Sequence, residues 1–203
     1  MKLFYSPSSP YVRKVMVLLH ETGLDAKVEK VPATGGVSPV AANAEVQKKN
    51  PLAKIPALMT NDGDTLFDSP VICEYIDHLA GGKFFPAPGP KRWTALRRQA
   101  LGDGILDAAL LVRYEATLRP EDKRWSDWDK GQWQKVEASL GEIEREVATF
   151  GETFDIGTIT LACALGYLDL RFTDRGWRAR APKAAAWFDK LSERPSLKAT
   201  KPG

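Results

Sequence analysis

Residues 50–58 read Asn50-Pro51-Leu52-Ala53-Lys54-Ile55-Pro56-Ala57-Leu58. Proline has no N–H to give a sheet ladder, so Pro56 belongs at a strand's start or edge. The strand expected here is Ile55–Thr60. Asn61-Asp62-Gly63-Asp64 follows as a hairpin turn signal, then a second strand at Thr65–Phe67. A trans Ile55–Pro56 bond simply opens the strand, and on the residues alone that is the plainer reading. A cis bond would turn the Ile55 main chain outward, where an extended peptide can pair with it.

Working outward, Lys2–Tyr5 is a short apolar strand. Pro10–His20 is a helix, with Val12, Val15, Met16 and Leu19 on one face and Gly23 as its stop. Lys27–Val31 reads as another strand and Ala41–Lys49 as a short helix. Pro70–Leu79 is the next helix. This order, β-α-β-(α)-β-β-α, describes a small sheet covered by helices, an α/β domain.

Beyond residue 80 the composition changes. All six tryptophans (Trp93, Trp125, Trp128, Trp133, Trp177, Trp187) lie there. Residues 81–90, GGKFFPAPGP, have the glycine and proline density of a linker. The rest is helical. Trp93, Leu96, Ala100, Leu101, Ile105, Ala108, Leu111 and Val112 mark one long amphipathic helix. Trp133, Val136, Leu140, Ile143, Val147 and Phe150 mark another, stopped by Gly151. Ile156–Leu170 is apolar on nearly every side, as a central buried helix is, with Asp155 as its N-cap and Phe154 placed to pack on Ile159. Pro182–Ser192 is a last helix with Trp187, Phe188 and Leu191 turned inward. The expected division is therefore 1–80 α/β, 81–90 linker and 91–203 an all-α helical bundle.

The 203 residues are 43% hydrophobic and 27% charged, which fits a folded globular protein and not a disordered one. A net charge of +3 gives no basic stripe for nucleic acid. No apolar run approaches the roughly 20 residues of a membrane span. Nothing at the start marks export, so a cytoplasmic location is expected. Cys73 and Cys163 each sit in an apolar periodic stretch and read as plain buried thiols, not a metal motif. His20 and His78 fall near helix ends, where a cation suits the helix dipole. Zinc hydrolysis and histidine triads lose their support, and no metal is expected.

Two further segments could carry chemistry. Ser6-Pro7-Ser8-Ser9-Pro10-Tyr11 joins the first strand to the first helix. Proline at the first helical position makes Ser9 the natural N-cap. A helix N-terminus also stabilises an anion, a thiolate included. A free thiol, with a pKa of about 8.5, is mostly protonated at neutral pH. A hydroxyl donating to the sulfur would lower that value. Taken alone, simple capping is the more economical account of Ser9. Asp68-Ser69-Pro70 repeats the pattern at the third helix. A helix N-terminus there can take a carboxylate while Asp68 holds an ammonium group, as an amino-acid end would require; a plain cap is the alternative.

Together, in this order and spacing, the three segments resemble the glutathione transferase family, and the resemblance covers the whole chain. NPLAKIPAL is similar to that family's NP-x-x-K-[VI]-P-x-L segment, FDSPVICEYI to its acidic-Ser segment, and ALGYLDLRF to the buried helix of many bacterial members. The resemblance implies a thioredoxin-like first domain and an all-helical second domain that supplies the pocket for an electrophile. It implies glutathione as co-substrate. Ser9 would activate the sulfur, and the Ile55 backbone would bind the cysteinyl part beside a cis Pro56. Asp68 and Ser69 would hold the γ-glutamyl end. Lys54 would either reach the glycyl carboxylate or point to water. Tyr11 would either line the site or pack at a domain interface. A homodimer is also implied.

The chain departs from family patterns in places. The first cysteine is Cys73, so the cysteine-type, glutaredoxin-like reductases are poorly matched. The zeta-class motif expects a cysteine after its serines, so maleylacetoacetate isomerase is a distant match. Ser6 and Ser8 are neighbouring hydroxyls that compete with Ser9 for the sulfur. Asp155-Ile156-Gly157-Thr158 replaces the usual Ser/Thr-x-x-Asp box. Arg113, Tyr114 and Trp177 are pocket candidates on spacing only, with structural roles equally open. The expected activity is conjugation of the glutathione thiolate to a small, hydrophobic electrophile. The alternatives are a non-catalytic glutathione-binding or scaffold member, and a glutathione-dependent peroxidase.

Overall fold

Strand β1 (Lys2–Tyr5) is the hub of the first part of the chain. In the computed structural model, which describes residues 1–202, β1 pairs in parallel with β2 (Glu29–Pro32) and antiparallel with β3 (Ala57–Met59). β3 pairs antiparallel with β4 (Thr65–Leu66), so the order is β2-β1-β3-β4. The parallel pair needs a crossover, which contains α1 (Pro10–Thr22). Gly23 ends α1 at φ 69°, a left-handed position that glycine adopts without steric cost. A short α2 (Ala44–Gln47) precedes β3, and α3 (Ser69–Leu79) follows β4.

β1 has the expected bounds, while β2, β3, β4 and α2 are shorter than the sequence suggests, for local reasons. β3 begins after Pro56, which cannot join the ladder. Thr60 instead closes the hairpin, donating its N–H to the Asp64 carbonyl at 2.9 Å, with Gly63 at φ 93°. A single 3₁₀ turn at Asp25–Lys27 delays β2 to Glu29. Asn43 caps α2, its Oδ1 accepting from the N–H groups of Glu45 and Val46 at 3.1 and 3.2 Å. On α1, burial spreads beyond the expected stripe to Val17 and Leu18, because α3 packs on the helix as well as the sheet.

The segment read as a linker is anchored at its start. Asp77 is buried, and its carboxylate accepts from the N–H groups of Lys83, Phe84 and Phe85 at 2.8, 2.9 and 2.8 Å. Phe84 and Phe85 are buried as a result of this turn back onto α3.

Contacts divide the chain into two units: Met1–Ala87 with everything from Pro195 onward, and Pro88–Arg194. The second unit is helical: α4 (Pro90–Thr117), α5 (Ser126–Glu146), α6 (Ile156–Arg171), α7 (Trp177–Arg180) and α8 (Pro182–Ser192). α6 is central, buried without interruption from Ile156 to Leu168. Its start is a full capping box: Asp155 Oδ1 accepts from the Thr158 N–H at 2.9 Å, and the Asp155 N–H donates to Thr158 Oγ1 at 3.0 Å. The box is thus the usual one with acid and hydroxyl exchanged. α5 stops at Glu146, and a 3₁₀ turn at Val147–Thr149 carries the chain to Gly151.

The inner face of α4 agrees with the expected one at Ile105, Ala108 and Val112, which are buried, and departs from it elsewhere: Trp93 is 66% exposed and Ala100 and Leu111 are exposed, while Ala95, Arg98, Gly102 and Ala109 are buried. The reason is close approach to α6. A Cβ on Gly102 would lie 2.8 Å from the Thr160 methyl, and one on Gly157 would lie 2.5 Å from the Ala95 carbonyl oxygen. A face selected for small residues is not the face that large apolar residues mark.

The final helix, α9 (Pro195–Ala199), returns to the first unit and lies against α1. Arg13 Nη2 donates to the Leu197 carbonyl at 3.2 Å, and Ser196 Oγ donates to Glu21 at 2.6 Å.

Candidate functional site

The sheet's topology gathers the three segments at one end. β1 runs toward Tyr5, so the 6–9 loop leaves from its C-terminal end. Ala57 opposes Phe4 in the β1–β3 ladder, which puts Ile55 and Pro56 just beyond that same end. Leu66 opposes Leu58, and continuing that register brings Phe67 and Asp68 alongside Ala57 and Pro56. Ile55 also packs in one apolar cluster with Val12 of α1 and Val46 of α2.

Ser9 caps α1. Its backbone is extended, at φ −83° and ψ 119°, and its Oγ accepts from the Val12 N–H at 3.3 Å. Among the described residues the Ser9 hydroxyl donates to nothing, so its proton is uncommitted. Ser6 and Ser8 differ, since their hydroxyls bond to one another at 3.2 Å. Tyr11 sits half-buried on the first turn of α1.

The Ile55–Pro56 bond is cis, as the resemblance implies and against the plainer reading of the residues. The loop before it is held by a residue that the sequence reading did not single out. Asn50, only 1% exposed, donates from Nδ2 to the Lys54 carbonyl at 2.9 Å, and its Oδ1 accepts from the Leu52 N–H at 3.0 Å. Within that loop Ala53 adopts φ 53°, the left-handed region rare for a residue with a Cβ. The signal was present in Asn50-Pro51, a pair that favours turns in which the asparagine side chain bonds the backbone ahead. Lys54 is exposed.

At α3 the N-cap position is Asp68, and Ser69 is the first helical residue. The Asp68 side chain makes no capping bond, and the residue is exposed. Ser69 is 1% exposed, yet no hydrogen bond ends on its hydroxyl among the described residues. The simple-cap account therefore explains neither side chain. The Phe67–Asp68 bond is also cis.

In the second unit Trp177 is a core residue, 1% exposed, with its Nε1 donating to Asp169 at 2.8 Å. Arg113 and Tyr114 are half-buried near the end of α4. Burial raises the Tyr114 hydroxyl above the ordinary phenol range, with the Arg113 charge opposing. Cys73 and Cys163 are buried and are not joined in a disulfide. Among the described residues no helix is long and apolar enough to cross a membrane, and no three His, Cys, Asp or Glu side chains gather as a metal site would need.

Among the described residues, the first unit presents at one sheet end the Ser9 hydroxyl, which donates to no protein group, the Ile55 main chain beside a cis Pro56, and the exposed Asp68 carboxylate beside the hydroxyl of Ser69, which has no protein partner. Residues 3–84 match the glutathione S-transferase N-terminal domain, and residues 115–190 match the glutathione S-transferase C-terminal domain. The uncharacterized GST-like protein YibF of Escherichia coli (strain K12) is 34% identical over 208 residues, spanning 100% of this chain and 98% of YibF. A glutathione transferase family member from Pseudomonas fluorescens Pf-5, solved with bound glutathione, is 48% identical at a TM-score of 0.96, covering 100% of this chain and 98% of that one. A Pseudomonas fluorescens Pf-5 family member with bound S-(propanoic acid)-glutathione is 46% identical at a TM-score of 0.91, covering 100% of both chains. The chain belongs to the glutathione S-transferase family.

Proposed function

We propose that this protein is a glutathione transferase that joins the glutathione thiolate to a small, hydrophobic electrophile. The observation that carries the proposal is the Ser9 hydroxyl, which accepts the Val12 N–H and keeps its own proton free. The hydroxyl keeps that proton and donates it as a hydrogen bond to the glutathione sulfur, whose own proton leaves to solvent. The hydrogen bond and the N-terminus of α1 both favour the anionic form, so the thiol ionises at lower pH. Glutathione lies along the open end of the sheet. Its cysteinyl backbone pairs with Ile55 beside Pro56, its γ-glutamyl ammonium meets Asp68, and its α-carboxylate meets Ser69. Lys54 takes the glycyl carboxylate, and Tyr11 lines the site.

The thiolate then attacks the electrophilic carbon, forming the C–S bond as the leaving group departs. The helical domain supplies the acceptor pocket. The enzyme contributes thiolate stabilisation and the positioning of two reactants. Glutathione in a close relative, and S-(propanoic acid)-glutathione in another structure, support this reading. The protein acts in the cytoplasm as a homodimer. Val71 and Leu79 on α3 are exposed apolar side chains that a second copy would cover. Light scattering should give twice the chain mass, and a monomer at working concentration would overturn the dimer.

The decisive experiment is thiolate ultraviolet absorbance of bound glutathione across a pH series. Wild type should show a thiolate band titrating well below the free thiol, and Ser9→Ala should lose it. Binding without the band would make the protein a carrier and not a transferase.

A further inference from the structure

α2 is only 4 residues long, too short to stand as a helix by itself, because nucleating a turn fixes several residues for one hydrogen bond. An asparagine brackets each of its ends. Asn43 uses its whole amide. Its Oδ1 accepts from the N–H groups of Glu45 and Val46 at 3.1 and 3.2 Å, and its Nδ2 donates to the carbonyls of Thr34 and Gly36 at 2.8 and 2.9 Å. The acceptor half is the helix cap, which serine would supply as well. The donor half is not needed for capping and is spent on the loop after β2. At the other end the Asn50 N–H donates to the Val46 carbonyl at 2.8 Å, and the Asn50 side chain reaches forward to Leu52 and Lys54. One hydrogen-bonded line therefore joins the loop after β2, α2 and the loop that leads into Ile55.

The loop that Asn43 grips begins at the site. β2 is parallel to β1, Pro32 opposes Tyr5, and the Ala33 N–H donates to the Tyr5 carbonyl at 3.0 Å. Residues 33–42 thus leave the sheet at the end where Ser9 and Ile55 lie. Ala33 and Val37 of this loop pack on the apolar cluster formed by Val12, Val46 and Ile55. The loop, α2, the Ile55 edge and the first turns of α1 therefore share one set of contacts. Beyond Val37 the loop has little to hold it, since residues 33–42 carry no charged side chain and Val40 is 78% exposed.

We propose that Asn43 is a positioning residue for glutathione. Through Nδ2 it fixes the loop after β2, and through α2 and Asn50 it fixes the Ile55 main chain that pairs with the cysteinyl part. This assignment rests on glutathione binding as proposed above and adds a residue outside the three segments of the site. Thr34 and Gly36 are exposed, so water replaces the amide where its donors are removed and stability changes little. What is lost is order, which glutathione must then restore out of its own binding energy.

The test is calorimetry with glutathione, set beside urea denaturation, on wild type, Asn43→Ser, Asn50→Ala and the double variant. Asn43→Ser keeps a neutral cap and loses both donors to the loop. Its urea midpoint should stay near that of wild type while the Kd for glutathione rises about fivefold. In the double variant the Kd should rise by less than the product of the two single changes, as expected of residues that act on one element. Wild-type affinity in Asn43→Ser would reduce Asn43 to a helix cap and overturn the assignment, leaving glutathione binding intact. Single effects that multiply in the double variant would overturn the link through α2 and Asn50. No binding of glutathione to wild type would overturn the transferase reading and this assignment with it.

Discussion

The Val12 N–H donates to Ser9 Oγ at 3.3 Å, so one oxygen caps α1 while its hydrogen remains free to donate outward. Capping and thiol activation use different halves of the same hydroxyl, and substitutions can separate them. Ser9→Ala removes both and should cost about 1 kcal/mol of stability with at least about tenfold in turnover. Ser9→Asp caps as well as serine but, ionised, has no proton to give; its stability should match wild type while turnover falls as far as in Ser9→Ala. Ser9→Thr should keep most of both. Chemical denaturation and steady-state kinetics on the three variants check this, and a fully active Ser9→Asp would remove the hydroxyl proton from the mechanism.

Asn50 holds the loop that presents Ile55, through its bonds to the Lys54 carbonyl and the Leu52 N–H. Asn50→Ala should cost about 1–3 kcal/mol of stability, because those buried backbone groups lose their partners. It should also raise the Kd for glutathione about fivefold, since the Ile55 edge is no longer pre-ordered. Calorimetry with glutathione, set beside urea denaturation, reads both. Unchanged affinity with lowered stability would confine Asn50 to a folding role.

Much of this architecture was legible from residue pattern, and the exceptions share causes. Turn and cap residues located α1 and the hairpin well, because Pro10, Gly23 and Gly63 each impose a local backbone geometry. The three segments of the site were legible as motifs, but their meeting at one sheet end is a matter of register, which no single segment contains. The engaged and unengaged halves of each side chain, such as the unpartnered Ser69 hydroxyl, likewise emerge only in three dimensions. On α4 periodicity pointed to Trp93, whereas the buried face is built around Ala95 and Gly102. Hydrophobic pattern weighs size, and close helix contact selects against it. The return of α9 to α1 was not legible either, since five residues give no period from which to choose a partner.

That close contact predicts opposite outcomes for the same change at different glycines. Gly104 on α4 has open space where a Cβ would stand, so Gly104→Ala should stabilise by about 1 kcal/mol through helix propensity. Gly157→Ala gains the same propensity but drives its methyl to 2.5 Å from the Ala95 carbonyl oxygen and 2.7 Å from Arg98 Cβ. Backbone on a packed helix cannot step aside cheaply, so the net effect should be a loss of about 1–3 kcal/mol. Thermal unfolding of both variants decides it, and a stabilised Gly157→Ala would show that α4 and α6 separate freely.

The second unit should also lose stability in acid, through Glu146 at the end of α5. Arg97 and Arg98 of α4 both pair with its carboxylate, and Arg98, stacked 4.2 Å over the Phe150 ring, also donates to Thr149 Oγ1 at 3.1 Å. Burial pushes the Glu146 carboxyl up, but the hydrogen bonds and charge of Arg97, with contributions from Glu142 and Arg98, outweigh it and hold the group below the ordinary carboxylate range. A lowered folded value means that its stabilising contribution is complete above the unfolded pKa of about 4.3 and disappears as pH falls through the folded value. Glu146→Gln should therefore cost about 1–2 kcal/mol at neutral pH, where two guanidinium groups lose an anionic partner. The difference between variant and wild type should narrow as pH is lowered toward about 3, because wild-type Glu146 is then becoming neutral too. Urea midpoints across that range test the sign directly: a gap that is constant with pH would mean that the glutamate is held for its shape and not for its charge.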